Sequence, residues 1–393
     1  MSAPDPPARG FVAVACAVAL ATGAAVALAP GVNVPCDFAA FWSSSVLMAH
    51  GQNPYDPVLL LPLERAAGWP LEYAITIFNP PWALPPLLPL AALPVQRAFG
   101  AWFGLQVALL LFAGRWLWLA SGGRAARAAV SAVLVGAFVP ALVLVTGGQL
   151  TAVPLFGFAG FAHFRARRPV LAGCLGALTA VKPHLFVLFA LALALDALRC
   201  AAGRRAALAG TAVLLGACAA ALFVRPEILD DYRTVLLARG TDSHRAQGDY
   251  AAPVAGVMLR AAVPGKPTVI QFVPCLLAAL AFVCAVRKVP PAEHWGAPLP
   301  FALAASLVVA PYGGWWYDMV LLLPLVLLVA ARTERAPWAR RAAVVAFAAL
   351  NAALVVLYAR RADLAPLFAL VPPCAAAVAV VLLRAARRHE VPA

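Results

Sequence analysis

Residues 11–29 read FVAVACAVALATGAAVALA, a run with no charged residue. About 20 residues of this kind are enough for a helix to cross a lipid bilayer. Comparable runs recur as far as Leu383, and hydrophobic residues make up 64% of the 393-residue chain. Charged residues make up only 12%, against about 25% in ordinary globular domains. The sequence therefore predicts an all-α polytopic membrane protein, with residues 1–393 forming a single integral membrane domain.

The apolar runs predict a bundle of about 11–13 transmembrane helices. The first run is long enough to span and has no clear cleavage site, so we interpret it as a membrane helix and not as a signal peptide. Several runs are short for a full crossing, as expected where helices tilt or end early around a cavity. The candidate spans are 11–29, 77–93, 98–119, 128–145, 150–164, 170–181, 184–198, 206–224, 269–286, 299–311, 318–331, 341–358 and 365–383.

The net charge of +14 is carried by short basic clusters between the apolar runs. Such clusters mark the cytoplasmic side of membrane proteins, so this distribution argues against nucleic-acid binding and predicts cytoplasmic N- and C-termini in the cell inner (plasma) membrane. The clusters are Arg115/Arg124/Arg127, Arg165/Arg167/Arg168, Arg199/Arg204/Arg205, Arg287/Lys288, Arg332/Arg335/Arg340/Arg341 and Arg384/Arg387/Arg388.

One stretch conflicts with simple alternation of the helices across the membrane. Residues 77–119 contain two candidate spans, yet they must cross an odd number of times if Arg124 and Arg127 are to remain on the basic side. A re-entrant, proline-rich segment over 79–93 would remove the conflict. Both interpretations of this stretch remain open from the sequence.

Two long polar segments, 31–76 and 225–268, are predicted to lie on the exoplasmic side. Loops of this length in a compact chain usually carry function. Alternation places three short polar motifs on the same side: 147–149, 182–184 and 312–318. The sequence therefore predicts a functional site on the exoplasmic face.

Asp37 is the first candidate catalytic residue, in the stretch PCDFAAFW over 35–42. The residues that follow it have apolar side chains at helical spacing, which predicts a juxtamembrane helix in the interface. One interpretation makes Asp37 the N-cap of this helix. The other makes it a partly desolvated carboxylate whose raised pKa suits a general base.

Lys182 is the sharpest single signal, because it ends the apolar stretch 171–181 and is followed by Pro183 and His184. A lysine in this position is costly unless it has a role. Its ammonium either extends into the interface or meets an anionic headgroup, most naturally a phosphate, with His184 as a second donor.

Other polar and aromatic residues on the same predicted face are weaker candidates. Gln149 and Asn79 carry amides suited to sugar or phosphate oxygens, although Asn79 also marks where the chain re-enters the membrane. The remaining histidines and the cysteines show no metal-ligand spacing, so no metal and no cofactor are expected. Possible sugar or acceptor contacts are Tyr55, Tyr312, Trp315, Trp316 and Asp318.

Taken in order, these motifs resemble glycosyltransferase family 87, and the similarity extends over roughly residues 10 to 335. The matching elements are Asp37-Phe38 with Phe41-Trp42, Gly51 to Asp56 including Tyr55, Asn79-Pro80-Pro81, Gly148-Gln149, Leu171-Ala172-Gly173 with Lys182-Pro183-His184, and Pro311-Tyr312 with Tyr317-Asp318.

The resemblance implies the fold of C-class membrane glycosyltransferases, with an exoplasmic active site and a polyprenyl-phosphate sugar as donor substrate. It implies that Asp37 is the catalytic base and that Lys182 meets the donor phosphate. The expected reaction transfers a hexose, with mannose favoured, to a hydroxyl of a lipid or glycan acceptor, with inversion at the anomeric carbon. Its partners are then membrane lipids, the lipid-linked donor and the glycolipid or glycan acceptor.

Two other functions remain open from the sequence. A secondary transporter or lipid flippase would favour internal repeats and ionisable residues at the bilayer midplane, whereas here the ionisable residues lie at the membrane edges. A lipid-linked oligosaccharide ligase or polymerase would use the same donor chemistry but would transfer a chain.

Overall fold

The computed structural model describes residues 6–238, 254–263, 268–287, 295–296, 298–312 and 314–387. Over these residues every regular element is a helix. The α-helices are α1 Pro6–Leu28, α2 Cys36–Ala49, α3 Pro57–Ala66, α4 Leu88–Ala91, α5 Val95–Ala120, α6 Ala129–Ala137, α7 Val139–Gly147, α8 Ala152–Phe164, α9 Pro169–Gly176, α10 Val187–Arg199, α11 Ala201–Val224, α12 Ile228–Ala238, α13 Ala255–Ala262, α14 Val273–Val286, α15 Pro298–Val309, α16 Leu323–Thr333, α17 Pro337–Ala359, α18 Arg361–Leu364 and α19 Val371–Arg387.

Seven helical stretches in the described part of the chain are long and apolar enough to cross a membrane, or eight if the bent pair α6–α7 is one span. Shorter apolar helices occupy Ala152–Phe164, Pro169–Val181 and Pro298–Val309. The chain is therefore an all-α polytopic membrane protein, as predicted. The long stretches are Gly10–Leu28, Val95–Ala120, Ala201–Val224, Val269–Val286, Trp316–Thr333, Pro337–Ala359 and Pro366–Arg387.

The predicted span over 77–93 is wrong. These residues form two 3₁₀ turns, Pro81–Ala83 and Pro85–Leu87, followed by the single turn of α4. Repeated prolines remove the backbone donors that a long helix needs, so only α5 has the length to cross in this region. The alternation conflict of the sequence therefore disappears, whereas a re-entrant course of this stretch stays a prediction.

Close packing of small residues joins α1 to α5. A Cβ atom on Gly100 would lie 2.4 Å from Ala27 Cβ, and one on Gly104 would lie 2.6 Å from Ala19 O. In membranes such small residues let helix backbones approach and gain dispersion contacts. The predicted first span is thus fixed directly against the helix that follows the first polar segment.

The bend between α6 and α7 measures 62°. It occurs at Phe138, two residues before Pro140, where the backbone is extended. The amide of Val139, which the bend removes from the helix, donates to Asn351 Oδ1 on α17 at 2.8 Å. A backbone donor inside a bilayer needs such a replacement acceptor, so Asn351 stabilises the break.

Contacts along α5 define two ends of the bundle. Trp102 near its start donates to Gly148 O at 2.9 Å, and Trp118 near its finish donates to Arg124 O at 3.0 Å. At 1.5 Å per residue the two tryptophans are about 24 Å apart along the helix. At the end near Trp118, Glu334 accepts a hydrogen bond from Arg124 at 2.7 Å. We call this end of the bundle the arginine end. The end at Gly148 is called the site end.

Candidate active site

Asp37 lies at the site end, as the second residue of α2. Pro35 occupies the N-cap position and no side chain caps the helix there, so the interpretation of Asp37 as the N-cap is wrong. The helix predicted to follow Asp37 is present and buries Phe38 and Phe41, whereas its juxtamembrane location stays a prediction. The Asp37 side chain is partly exposed, while Phe38 is fully buried and its ring lies 5.2 Å from that of Phe99.

The turn after α7 brings Gln149 beside Asp37. Gly148 adopts a left-handed conformation with φ 69°, and a Cβ atom on it would lie 2.6 Å from Phe38 Cβ. Only glycine satisfies both conditions without strain. The Gln106 amide, oriented to satisfy both of its partners, donates to Gln149 O at 2.8 Å, and its oxygen lies 2.9 Å from Trp102 Nε1, whose single N–H it shares with Gly148 O.

The segment before Lys182 is held by two side chains from the proline-rich stretch 79–93. Asn79 Nδ2 donates to Val181 O at 3.0 Å, and Trp82 Nε1 donates to Ala180 O at 2.9 Å. Pro183 disfavours a helical conformation at Lys182, whose φ of −131° and ψ of 68° end the preceding 3₁₀ turn. These contacts fix the direction in which the lysine leaves the backbone.

Lys182 forms a buried ion pair with Asp318. Its Nζ lies 2.8 Å from Asp318 Oδ1 and 4.7 Å from the centre of the Tyr317 ring. Thr151 Oγ1 donates to the same carboxylate oxygen at 2.5 Å, and the amide of Trp315 donates to Oδ2 at 3.0 Å. Both oxygens of Asp318 are therefore engaged within the protein, which suits a residue that positions Lys182 more than one that contacts a sugar.

The pKa of Asp37 is raised because the surrounding protein removes water from most of its partly exposed carboxyl group, and the nearby Gln149 side chain and the Lys182 ammonium oppose this effect. Asp318 raises it further through charge repulsion. Asp37, Gln149, Lys182 and Asp318 therefore form one electrostatic group, although up to 281 positions separate them along the 393-residue chain. A carboxylate with a raised pKa next to a fixed ammonium can accept a proton while the ammonium stabilises an anion.

Two of the predicted site residues, Tyr55 and Asn79, support the segment that carries Lys182. The Tyr55 hydroxyl donates to Asn79 O at 2.9 Å, and the Tyr55 side chain is only 2% exposed. Asn79 in turn bonds Val181, as described above. Tyr55 therefore supports Asn79 through a buried hydroxyl, and its predicted contact with sugar or acceptor stays a prediction.

The remaining predicted residues lie around the group. The His184 ring meets the half-exposed Tyr312 edge-on, with centroids 6.3 Å apart. Trp315 and Trp316 are partly exposed and pack edge-on at 5.5 Å. The carbonyl of Trp316 accepts from Tyr358 at 2.7 Å. Their predicted contacts with sugar or acceptor remain predictions.

The profile of glycosyltransferase family 87 matches residues 78–311, more than half of the chain. The chain belongs to this family. It is a membrane glycosyltransferase, which decides against the transporter and flippase interpretations. The matched range includes Asn79, Gln149 and Lys182, whereas Asp37 and Asp318 join them through the folded structure. No curated protein and no solved structure shows a match to the chain.

Sequence reasoning missed three residues that shape this glycosyltransferase site: Thr151, Gln106 and Trp102. Each is buried. Gln106 was detectable, because it lies within the apolar stretch 98–114 of α5, and a polar residue inside a membrane helix is costly and usually functional. Thr151 and Trp102 carried no such signal, since threonine and tryptophan are ordinary residues near membrane interfaces.

Metal binding was not expected from the sequence. Across the residues that the structure describes, no group of three or more His, Cys, Asp or Glu side chains is arranged to hold a metal ion. That this glycosyltransferase works without a metal stays a prediction.

Proposed function

We propose that the chain transfers a hexose, with mannose favoured, from a polyprenyl-phosphate donor to a hydroxyl of a lipid or glycan acceptor on the exoplasmic side. The observation that carries this proposal is the meeting of Asp37 with Gln149 and the Lys182–Asp318 pair at one end of the bundle. That arrangement combines a proton acceptor with a fixed cation, which are the two groups that displacement of a phosphate requires.

In the proposed step the acceptor hydroxyl oxygen attacks the anomeric carbon and its proton passes to Asp37. The bond between the anomeric carbon and the phosphate oxygen breaks, and its electron pair leaves with the polyprenyl phosphate. A single displacement of this kind inverts the anomeric configuration. No nucleotide is consumed, since the lipid phosphate is itself the leaving group.

Lys182 is the residue that we assign to the departing phosphate. A lysine ammonium has three N–H donors, and the contact with Asp318 uses one of them. Lys182 is only 7% exposed, and low local polarity strengthens its attraction to an anion. His184 and Gln149 are the further candidate donors to phosphate or sugar oxygens.

The exoplasmic location rests on charge. Arg124, Arg127 and Glu334 lie at the arginine end, about 24 Å along α5 from Trp102, which contacts Gly148. Because clusters of arginine favour the cytoplasmic side, the site end is assigned to the opposite face. Donors and acceptors embedded in the outer leaflet would reach Asp37 there without crossing the membrane.

The test is a transfer assay with the full-length protein in proteoliposomes. Polyprenyl-phosphate mannose, polyprenyl-phosphate glucose and a nucleotide-linked mannose are supplied separately with a membrane glycolipid extract, and labelled products are identified by mass spectrometry. We expect mannose transfer from the lipid-linked donor only. Transfer from the nucleotide-linked sugar would contradict the proposal.

The same assay separates transfer of one sugar from transfer of a chain. The proposal predicts products that gain a single hexose of inverted configuration. Products that gain an oligosaccharide from a lipid-linked oligosaccharide donor would instead establish a ligase or polymerase.

A further inference from the structure

An open apolar groove runs along the bundle between α6, α16, α17 and α19. Its volume is about 920 Å³. Leu322 and Val371 line it towards the site end, and Leu350 lines its middle. At the arginine end the lining changes to Arg127, Glu334 and Arg340. The groove therefore has a long hydrocarbon wall and one charged mouth.

The position of this groove requires a hydrocarbon occupant. Its walls belong to the candidate spans Trp316–Thr333, Pro337–Ala359 and Pro366–Arg387, so it lies at membrane depth. A volume of about 920 Å³ is near the upper end of ligand pockets, which measure roughly 300–1,000 Å³. An unfilled groove would lose the dispersion contacts that hold membrane helices together, and the bilayer supplies chains to fill it.

The charges at the mouth of the groove indicate which lipid headgroup fits there. Glu334 accepts both Arg124 at 2.7 Å and Arg127 at 3.1 Å, so one carboxylate faces two guanidinium groups. Arg340 adds a third, and its side chain has no ion pair within the described part of the chain. Positive charge thus exceeds negative charge at this mouth, which is complementary to a phosphate. Basic pockets between membrane helices bind anionic headgroups in this way.

We propose that the groove binds an anionic glycerophospholipid, with one acyl chain along the apolar wall and its phosphate at Arg127 and Arg340. This site is separate from the one proposed for the sugar donor. The donor phosphate must meet Lys182 at the site end, whereas these arginines lie at the other end of the bundle, about 24 Å away. The bound lipid supports α16, whose preceding 3₁₀ turn carries Asp318.

The test measures lipid retention by native mass spectrometry of the full-length protein in mild detergent. Phosphatidylglycerol and phosphatidylcholine with the same acyl chains are titrated in parallel. Two arginines at a membrane surface favour the anionic lipid by about 30-fold in affinity, and we expect a preference of that order. Equal retention of the two lipids would overturn the proposal, as would displacement of phosphatidylglycerol by polyprenyl phosphate.

Two pairs of variants locate the site. Arg127→Gln with Arg340→Gln should abolish the preference for phosphatidylglycerol, while Arg204→Gln with Arg205→Gln, at exposed positions outside the groove, should keep it. An equal loss in both pairs would overturn the assignment of the phosphate to the groove mouth.

A second comparison blocks the chain and leaves the arginines in place. Ala349→Phe with Ala353→Phe fills the groove wall of α17, and Ala348→Phe with Ala352→Phe adds the same bulk to the exposed residues beside it. We expect the first pair to lose lipid retention and the second pair to keep it. Retention by the first pair would show that the chain lies elsewhere.

Discussion

In this glycosyltransferase, the buried side chains of Lys182 and Asp318 stabilise each other as an ion pair. Asp318 is fully buried and Lys182 is 7% exposed, so neither charge is solvated well by water. Their 2.8 Å contact, with Thr151 and the Trp315 amide on the carboxylate, replaces that solvation. The arrangement holds the ammonium at a defined place before any substrate arrives.

Replacing Lys182 by methionine should lower the free energy of unfolding by about 3–5 kcal/mol, because Asp318 would stay buried without its cation. The double variant Lys182→Met with Asp318→Leu should recover most of that loss but no transfer activity. Thermal unfolding in detergent and the proteoliposome assay measure the two effects. A double variant as unstable as the single one would refute the pairing argument.

A pH profile tests the position of Gln149. Burial raises the pKa of Asp37 and the Gln149 side chain opposes this effect. The base acts when ionised, so transfer should fall as the pH drops through the pKa of Asp37. Gln149→Leu should move this acidic limb to higher pH at saturating donor.

The matched control for this profile is Gln52→Leu, an exposed glutamine on the same polar segment as Asp37. It should leave the limb where it is in the unmodified protein. If the acidic limb of Gln149→Leu lies at the same pH as in the unmodified protein, or at a lower pH, the contact between Gln149 and Asp37 would be contradicted.

At the scale of elements, the turn at Gly148, which follows the bent pair α6–α7, packs against Phe38 of α2. Its positive φ and its approach to Phe38 leave no room for a side chain. Gly148→Ala should therefore cost about 1–3 kcal/mol of stability and reduce transfer, because it pushes α2 and Asp37 away from Gln149. Gly136, where an added Cβ meets nothing within 4 Å, provides the control Gly136→Ala.

Both Gly148→Ala and Gly136→Ala are measured by thermal unfolding and by transfer. The helical Gly136→Ala should be neutral or slightly stabilising. Wild-type transfer by Gly148→Ala would mean that the close approach of α2 to this turn is unnecessary for the site.

The helix α3 carries a carboxyl group that responds to pH near neutrality. Glu64 is fully buried, Oε2 accepts from the Ile75 amide at 2.8 Å, and Oε1 has no hydrogen-bond partner. Burial raises its pKa from 4.5 to about 7, against the opposing hydrogen bond from Ile75. The segment that it holds leads directly to Asn79.

Because the folded state binds this proton more tightly than the unfolded state, stability is greatest below about pH 4.5 and falls as the pH rises through about 7. The loss at higher pH is about 3 kcal/mol. Glu64→Gln should remove this part of the pH dependence in thermal unfolding, and the exposed Glu72→Gln should keep it. Identical profiles for the two variants would contradict the burial argument.

For the whole molecule, the sequence was sufficient to predict the helical membrane class, whereas the side of the membrane that carries the polar motifs stays a prediction. Apolar runs and arginine clusters depend on local composition, so they are visible without a structure. The predicted second span over 77–93 was wrong because hydrophobicity alone does not register how prolines interrupt a helix.

Parts of the site were also visible in the sequence. Asp37 and Lys182 stand out because each is a charge at the edge of an apolar run. The pairing of Lys182 with Asp318, and the support of Asn79 by Tyr55, were not predictable, because they join residues far apart in sequence through tertiary packing. Tyr55 in particular has the sequence character of a sugar contact, yet its hydroxyl is buried.

The most direct test of the account compares Asp37→Asn with the unmodified protein in the lipid-supplied transfer assay, together with binding of the lipid-linked donor. Loss of a general base typically costs a factor of about 10²–10⁴ in rate. We therefore predict a loss of transfer of that size with donor binding retained, because a neutral amide in place of the carboxylate cannot take up the acceptor proton. Full transfer activity in Asp37→Asn would contradict the assignment of the catalytic base.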